Sequence, residues 1–322
     1  MVPRDRRGNV EAATSTRSRA VETLGSERVR EALVGYAFVL LPVTLFGLFF
    51  IWPIIHSFYI SAHQWGALVG KEAYIGAENY RTAFDDDIFR RALKNTAFFA
   101  ITVVPLQMAL GLVMALAVNQ GLRGRTFFRS AFYFPSLTSA AAIVAIAVFI
   151  FSADGLVNSG LRGAGLGALT PSEGGWFSDS DTALWTIVGL VAWTSSGTMM
   201  LFYLASLQAI PTDVYEAAAI DGSGTWRTFW KITFPLLKPA HFFVGVVSMI
   251  GALKIFDQAY IASSGSGGPA YATLTAVLYL YQTAIGDFDF GYAAALGAIL
   301  FVIIFTLTLI QRLLFGRAEI GY

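Results

Sequence analysis

The sequence predicts an all-α membrane protein with about six transmembrane helices, and three observations carry that expectation. The 322 residues are 56% hydrophobic and only 13% charged, with a mean hydropathy of +0.61. Soluble domains run at roughly 45–50% apolar and about 25% charged residues, so this chain has too few charges to clothe a water-exposed surface of its size. Six apolar runs are long enough to cross a bilayer core of about 30 Å, which takes roughly 20 helical residues. Lysine and arginine are also divided unequally between alternate connections, as expected of a multi-pass protein. The net charge of +1 argues against a nucleic-acid partner. The absence of cysteine excludes disulfides and thiolate-held metals.

The predicted spans are Gly35–Ile60, Ala97–Val118, Ala131–Ser152, Leu184–Leu207, His241–Ile261 and Gly291–Leu314. Pro42, Pro53, Pro105 and Pro135 fall within or at the ends of these runs. Membrane helices tolerate proline because neighbouring helices re-satisfy the freed carbonyls. Residues 1–34 form a polar tail with seven arginines and five acids, with a short surface helix expected near Glu27–Leu33. The apolar run that follows spans about 26 residues, against roughly 7–15 for a signal-peptide core, so it reads as a permanent span. The tail, the connections 119–130 and 208–240 and the C-terminal end 315–322 lie on the basic side. With Arg312, at the end of the last span, counted with the C-terminal end, that side carries 15 Lys and Arg against 6 on the other, which predicts that both termini are cytoplasmic. The opposite loops carry Trp65 and Trp176 and suit a wet or partner-facing surface.

The connection at about 208–240 carries the most specific information. Helix–helix links are commonly about 2–8 residues, so a long structured one is usually functional. Pro211 and Thr212 are placed to start a short helix, with Asp213 in its first turn where the helix dipole favours an anion. Val214, Ala217, Ala218 and Asp221 share a face by helical spacing. Gly222 and Gly224 permit a turn. Trp226, Phe229, Trp230 and Ile232 then suit a second short helix, ended by Pro235 and Pro239. An amphipathic helix that merely seats the protein on the membrane is the competing reading.

Glu216-Ala217-Ala218, three residues, Gly222, nine residues, Ile232, one residue, then Phe234-Pro235 resembles the EAA loop of ABC importer permeases, with Phe234 in the place of the usual Leu. Further matches are Gly76-Ala77-Glu78-Asn79-Tyr80, Lys254-Ile255-Phe256-Asp257, Ser264-Gly265 through Gly267-Gly268-Pro269 to Thr273, and Gly291-Tyr292-Ala293-Ala294-Ala295. These resemble the carbohydrate and glycerol-phosphate branch, the membrane subunits of maltose-type importers, over roughly residues 30–315. The resemblance implies a type I importer permease domain at 35–314 in a prokaryotic cytoplasmic membrane. It implies that the EAA loop couples to an ATP-hydrolysing subunit through Glu216, Ala217, Ala218, Asp221, Gly222 and Pro235. The implied partners are a second permease, two ATPase subunits and an extracytoplasmic solute-binding protein, together with membrane lipid. No phosphate-binding Gly-x-x-x-x-Gly-Lys-Ser/Thr loop occurs here, so ATP and Mg would be bound by the partners.

Ionisable residues inside a span are functional candidates by default. Lys254 and Asp257 stand three apart in the fifth span, placed to pair, with Gln258 beside them. Together with Trp193, Ser196, Tyr260 and Tyr279 they are the candidate substrate path for a disaccharide, oligosaccharide, polyol or glycerol phosphate. The competing readings are a structural ion pair for Lys254 and Asp257, helix packing for Trp193 and Ser196, and interfacial anchoring for the tyrosines. His56, His63 and His241 show no metal-ligand spacing, and no catalytic constellation stands out. Two other function classes fit the composition: an ion-gradient-driven transporter and a non-transporting membrane scaffold.

Overall fold

The computed structural model describes residues 30–66, 73–120, 124–171 and 174–315. The polar tail to residue 29, Arg123 and residues 316–322 lie outside the described residues. The chain divides between Tyr59 and Ile60 into two units.

The first unit contains most of helix α1, Arg30–Ser61. One wide π-turn, Gly47–Ile51, interrupts its regular hydrogen bonding and ends two residues before Pro53. In a regular helix the Pro53 ring would strike the carbonyl of Phe49, four residues back, and the wide turn relaxes that clash. His56 stacks between Trp52 and Tyr59 on one face of this helix.

In the second unit, two short antiparallel strands, β1 His63–Gln64 and β2 Ala73–Tyr74, precede helix α2, Glu78–Asp85. The Gly76–Tyr80 motif has a structural role here. Asn79 donates to the carbonyls of Ser61 and His63, and the Tyr80 and Ser61 hydroxyls share a 2.7 Å hydrogen bond. The second span is α3, Asp87–Asn119. It starts ten residues before the apolar run, because polar helical turns outside the lipid leave no mark in hydropathy.

The third span corrects the sequence reading. It is two helices, α4 Arg125–Leu137 and α5 Ala140–Ile150, bent by 93°. Pro135 stands just before the break and Thr138 is extended at ψ 143°, so the chain turns at Thr138-Ser139. Helix α6, Leu156–Gly163, lies in the next loop. There the Trp176 indole donates to Asn158 at 2.7 Å, which ties this tryptophan into its own loop. The fourth span is α7, Ala183–Gln208.

After the connecting loop, the fifth span consists of α10 Lys238–Leu253 and α11 Asp257–Ala262, with Lys254–Phe256 non-helical between them. The expected Lys254–Asp257 pair on one continuous helix face is therefore not formed. Both side chains are exposed, and no ion pair joins them among the described residues. Helix α12, Ala276–Tyr281, precedes the last span, α13 Phe290–Phe315.

Close helix crossings hold this unit together, since lipid gives apolar side chains no reason to leave it for one another. Helix α3 buries Phe99, Val103, Val104 and Ala115 along one stripe, and α7 buries Ile187, Val188, Met200 and Tyr203. The α4–α7 crossing is tightest at Gly197, where a Cβ would stand 2.4 Å from the Phe132 carbonyl oxygen. The Ser136 hydroxyl donates to the Thr194 carbonyl at the same crossing.

Candidate functional site

The connection after α7 forms a capped helix, a turn and a second helical segment. Helix α8 is Thr212–Ile220, with Pro211 at its N-cap and Asp213 in its first turn. Its end follows from Gly222, whose φ of +69° lies in the left-handed region that favours glycine. That conformation lets the Gly222 amide donate to the Ala219 carbonyl at 3.1 Å and the Ser223 amide to Ala218 at 2.9 Å, which is the Schellman pattern.

The second segment, α9, runs over residues 225–236 and includes a π-turn at Phe229–Thr233. This wide turn again ends two residues before a proline, Pro235, repeating the arrangement in α1. Aromatic rings pass contact from Trp226 to Trp230, to Phe234 and to His241. The His241 ring then meets Tyr203 of α7, with a 2.9 Å hydrogen bond. The exposed loop is thereby joined by continuous ring contact to the core of the fourth span.

The exposure pattern of α8 divides the face expected from spacing. Val214 and Tyr215 are half-buried and Ala218 is 5% exposed, so these point inward. Glu216, Ala217, Asp221 and Gly222 are exposed. Ile220 is 87% exposed, an apolar side chain left in the open beside Glu216 and Ala217, which sequence reasoning passed over. Its position four residues after Glu216 was the signal available. Pro235 is also exposed, within α9.

The candidate path residues do not form one cluster. Ser196 is fully buried and its hydroxyl donates to the Trp193 carbonyl of its own helix, so it serves packing. Trp193 lines an apolar groove of about 1010 Å³ beside the bent third span, and none of the other six candidates does. Tyr260 packs with Phe256 and Tyr281. Lys254 and Asp257 are exposed at the break between α10 and α11, with Gln258 half-buried beside them.

Tyr279 instead belongs to a cluster that sequence reasoning missed. Asp86 caps α3, its Oδ1 accepting from the Ile88 and Phe89 amides at 2.8 and 3.1 Å. Its Oδ2 accepts from the Tyr279 hydroxyl at 2.5 Å and from the Tyr292 hydroxyl at 2.8 Å. One carboxylate thus joins the starts of α3 and α13 to α12. Burial alone would raise its pKa, but the two tyrosines and the two amides outweigh it and hold Asp86 below the ordinary carboxylate range. A carboxyl with a depressed folded pKa adds stability above its unfolded value, and that stability is lost as pH falls through the folded one. Thermal stability in detergent should be flat above about pH 4 and fall below it, with a smaller fall in Asp86→Asn. Asp86→Ala should cost about 1.5–3 kcal/mol near neutral pH, since it strips charged hydrogen bonds from two partly buried hydroxyls. An unchanged melting curve in Asp86→Ala would contradict this account.

Residues 107–319 match the family described as binding-protein-dependent transport system inner membrane component. The chain belongs to that family. The matched region contains α8, α9 and the break at Lys254, while α1 and Asp86 lie before it. Among relatives of this inner membrane component, the lactose transport system permease protein LacF of Rhizobium radiobacter is 33% identical over 279 residues, 86% of this chain and 92% of that protein. The probable ABC transporter permease protein YesP of Bacillus subtilis is 35% identical over 87% of this chain and 90% of its own length. The sn-glycerol-3-phosphate transport system permease protein UgpA of Agrobacterium fabrum is 32% identical over 87% and 93%. A crystal structure of a bacterial ABC transporter that imports the acidic polysaccharide alginate has the same fold. Its TM-score is 0.79 at 21% identity, covering 91% of this chain and 98% of that one. The expected importer-permease fold is thus found, with a bent third span and a broken fifth.

Proposed function

We propose that this inner membrane component is one of two permease subunits of an ATP-driven importer for a sugar or related polar solute. In this reading α8 docks on a cytoplasmic ATPase subunit through Glu216, Ala217, Ile220, Asp221 and Gly222, with Ala218 supporting the helix from inside. Two such ATPases bind ATP and Mg, and an extracytoplasmic solute-binding protein delivers the cargo. Both termini and the α8–α9 loop lie in the cytoplasm of a prokaryotic cell.

The observation that carries the proposal is the capped helix α8, which presents an acidic and apolar face to the exterior, joined to α9, whose rings run in contact to Tyr203 of α7. A helix that merely seated the protein would have no need of that connection. The names of its relatives support a sugar-like solute, since they include permeases for lactose, arabinooligosaccharides and glycerol-3-phosphate. A solved neighbour was captured with an alginate pentasaccharide-bound periplasmic protein, which supports the binding-protein partner.

We assign the solute path to the break in the fifth span. Discontinuous helices expose backbone and polar side chains within a membrane, where irregular structure persists only against protein or a water-filled cavity. Lys254, Asp257 and Gln258 offer one cation, one anion and one amide at that break. Uptake by vesicles holding the assembled complex tests both parts. Transport should require the ATPase subunits and survive an uncoupler. Asp257→Asn and Lys254→Met should lower uptake roughly tenfold or more, the scale of a lost charged hydrogen bond. Uptake that collapses with the uncoupler would overturn the ATP-driven reading, and wild-type rates in both variants would overturn the path.

A further inference from the structure

Two features at one end of α3 remain unused by the transport reading. Arg91 and Lys94 are exposed in its early turns. There the helix dipole disfavours cations, and the other two loops on that side carry a single Lys or Arg, Arg162, between them. Among the described residues, the ion pairs nearby join Arg81 to Glu78 and Arg90 to Asp87, and Arg91 and Lys94 enter neither. They border a cleft of about 360 Å³ together with Asp87, Arg90 and Asn95. The Asp87 carboxylate in that cleft is already held by Arg90 at 2.6 Å, so the remaining charge of the cleft is positive.

Below the cations the same face of α3 becomes apolar. Phe98 stands one turn after Lys94 and Ile101 follows, 70% exposed. The Phe98 ring meets Trp185 of α7 edge-on at 5.0 Å. Trp185 lines the groove of about 1010 Å³ near its Trp176–Thr182 end; the groove continues past Gly189 to Trp193 along α7 and is closed on its far side by Pro135 and Ile146 of the bent third span. Residues on both sides of the 93° bend, from Ala131 to Ile150, line this wedge. From Lys94 to Phe98 is about 6 Å along the axis, and from Trp185 to Trp193 about 12 Å, at roughly 1.5 Å per residue. The sum, about 18 Å, matches one leaflet of a core about 30 Å thick plus the base of its headgroups.

We propose that Arg91, Lys94 and the Trp185–Trp193 groove form a binding site for a diacyl phospholipid with an anionic headgroup. The phosphate lies between Arg91 and Lys94, and an acyl chain passes Phe98 and runs down the groove. Charge complementarity selects the headgroup, and the order of cationic cleft, exposed Phe98 and apolar groove selects a molecule with a charged end and a long apolar one. A polar solute has no use for the groove, and a zwitterionic lipid gains less from two cations.

The full chain, reconstituted with its partner subunits in phosphatidylcholine vesicles, provides the test. Phosphatidylglycerol with brominated acyl chains is compared with equally brominated phosphatidylcholine, with quenching of tryptophan fluorescence as the readout. Brominated phosphatidylglycerol should quench more strongly at equal mole fraction. Trp185→Phe with Trp193→Phe should remove that excess. Arg91→Gln with Lys94→Gln, both at exposed positions, should weaken the preference roughly ten- to thirtyfold while leaving the fold intact. Equal quenching by the two lipids, or an excess that persists in the Arg91/Lys94 variant, would overturn the proposal. It also fails if the assembled complex shows no quenching at Trp185 and Trp193, which would mean that another subunit fills the groove. Loss of the excess on adding inorganic phosphate would reduce the cleft to a general anion site and overturn the lipid assignment.

Discussion

Gly222→Val should abolish solute uptake, more than tenfold below wild type, while Gly222→Asn keeps most of it. The two substitutions separate conformation from contact. Space is open around Gly222, with no atom within 4 Å of an added Cβ. The constraint is its φ of +69°. A branched residue there is a conformational outlier, and the left-handed backbone costs ordinary residues roughly 1–2 kcal/mol. Asparagine enters that region far more readily and often ends helices this way. Valine should therefore unwind the last turn of α8, displace Ile220 and Asp221, and release the ATPase. Charge reversal at Glu216, which leaves the backbone alone, should give the same transport defect by a different route. Both variants should insert normally, since α8 contributes little buried surface. Wild-type uptake in Gly222→Val would show that the turn is dispensable.

The second large effect is expected at Gly197, where the fourth span crosses α4. A Cβ there would lie 2.4 Å from the Phe132 carbonyl oxygen and 3.0 Å from the Tyr133 Cα. Both are backbone atoms, so no rotamer change relieves the contact and α4 itself must move. Overpacking of this kind typically costs about 1–3 kcal/mol, occasionally more. Gly197→Ala should lower the Tm in detergent by several degrees, and Gly197→Leu should fail to accumulate in the membrane. The neighbouring Ser195→Ala provides the control, with a small effect expected. A melting temperature unchanged by Gly197→Ala would mean that the crossing is looser than described.

These residues also show what the sequence could reveal. The long apolar helices, five of them or six with the bent pair counted as one span, were legible because lipid demands long apolar runs, a strong signal in any residue order. Helix α8 was legible because its start and stop are local, set by Pro211 and Gly222. The 93° bend was harder to see. Pro135 advertised a disturbance, but proline in a membrane helix is compatible with a straight span, a kink or a full break, as the uninterrupted α3 around Pro105 shows. Lys254 and Asp257 signalled something unusual in the fifth span. The spacing rule that paired them assumed a continuous helix, and the chain breaks between them. The inward turn of Ala218 was hidden for a related reason, since helical spacing groups residues on a face without saying which face meets the protein. Asp86 was out of reach. Its tyrosine partners lie 193 and 206 residues further along, and no local pattern links a helix cap to hydroxyls so distant.

The central claim is that α8 is the contact with an ATPase. The natural chain contains no cysteine, so a single introduced thiol reports from one place only. Ala217→Cys and Ile220→Cys, both at exposed positions of α8, can be labelled with a photoactivatable thiol reagent in the assembled complex. Ser264→Cys, in the loop after α11, serves as the comparison. The account predicts light-dependent adducts between this chain and the ATPase subunit from positions 217 and 220, reduced on adding Glu216→Arg, and none from position 264. An ATPase that stays bound to the complex yet forms no adduct from either α8 position would contradict it.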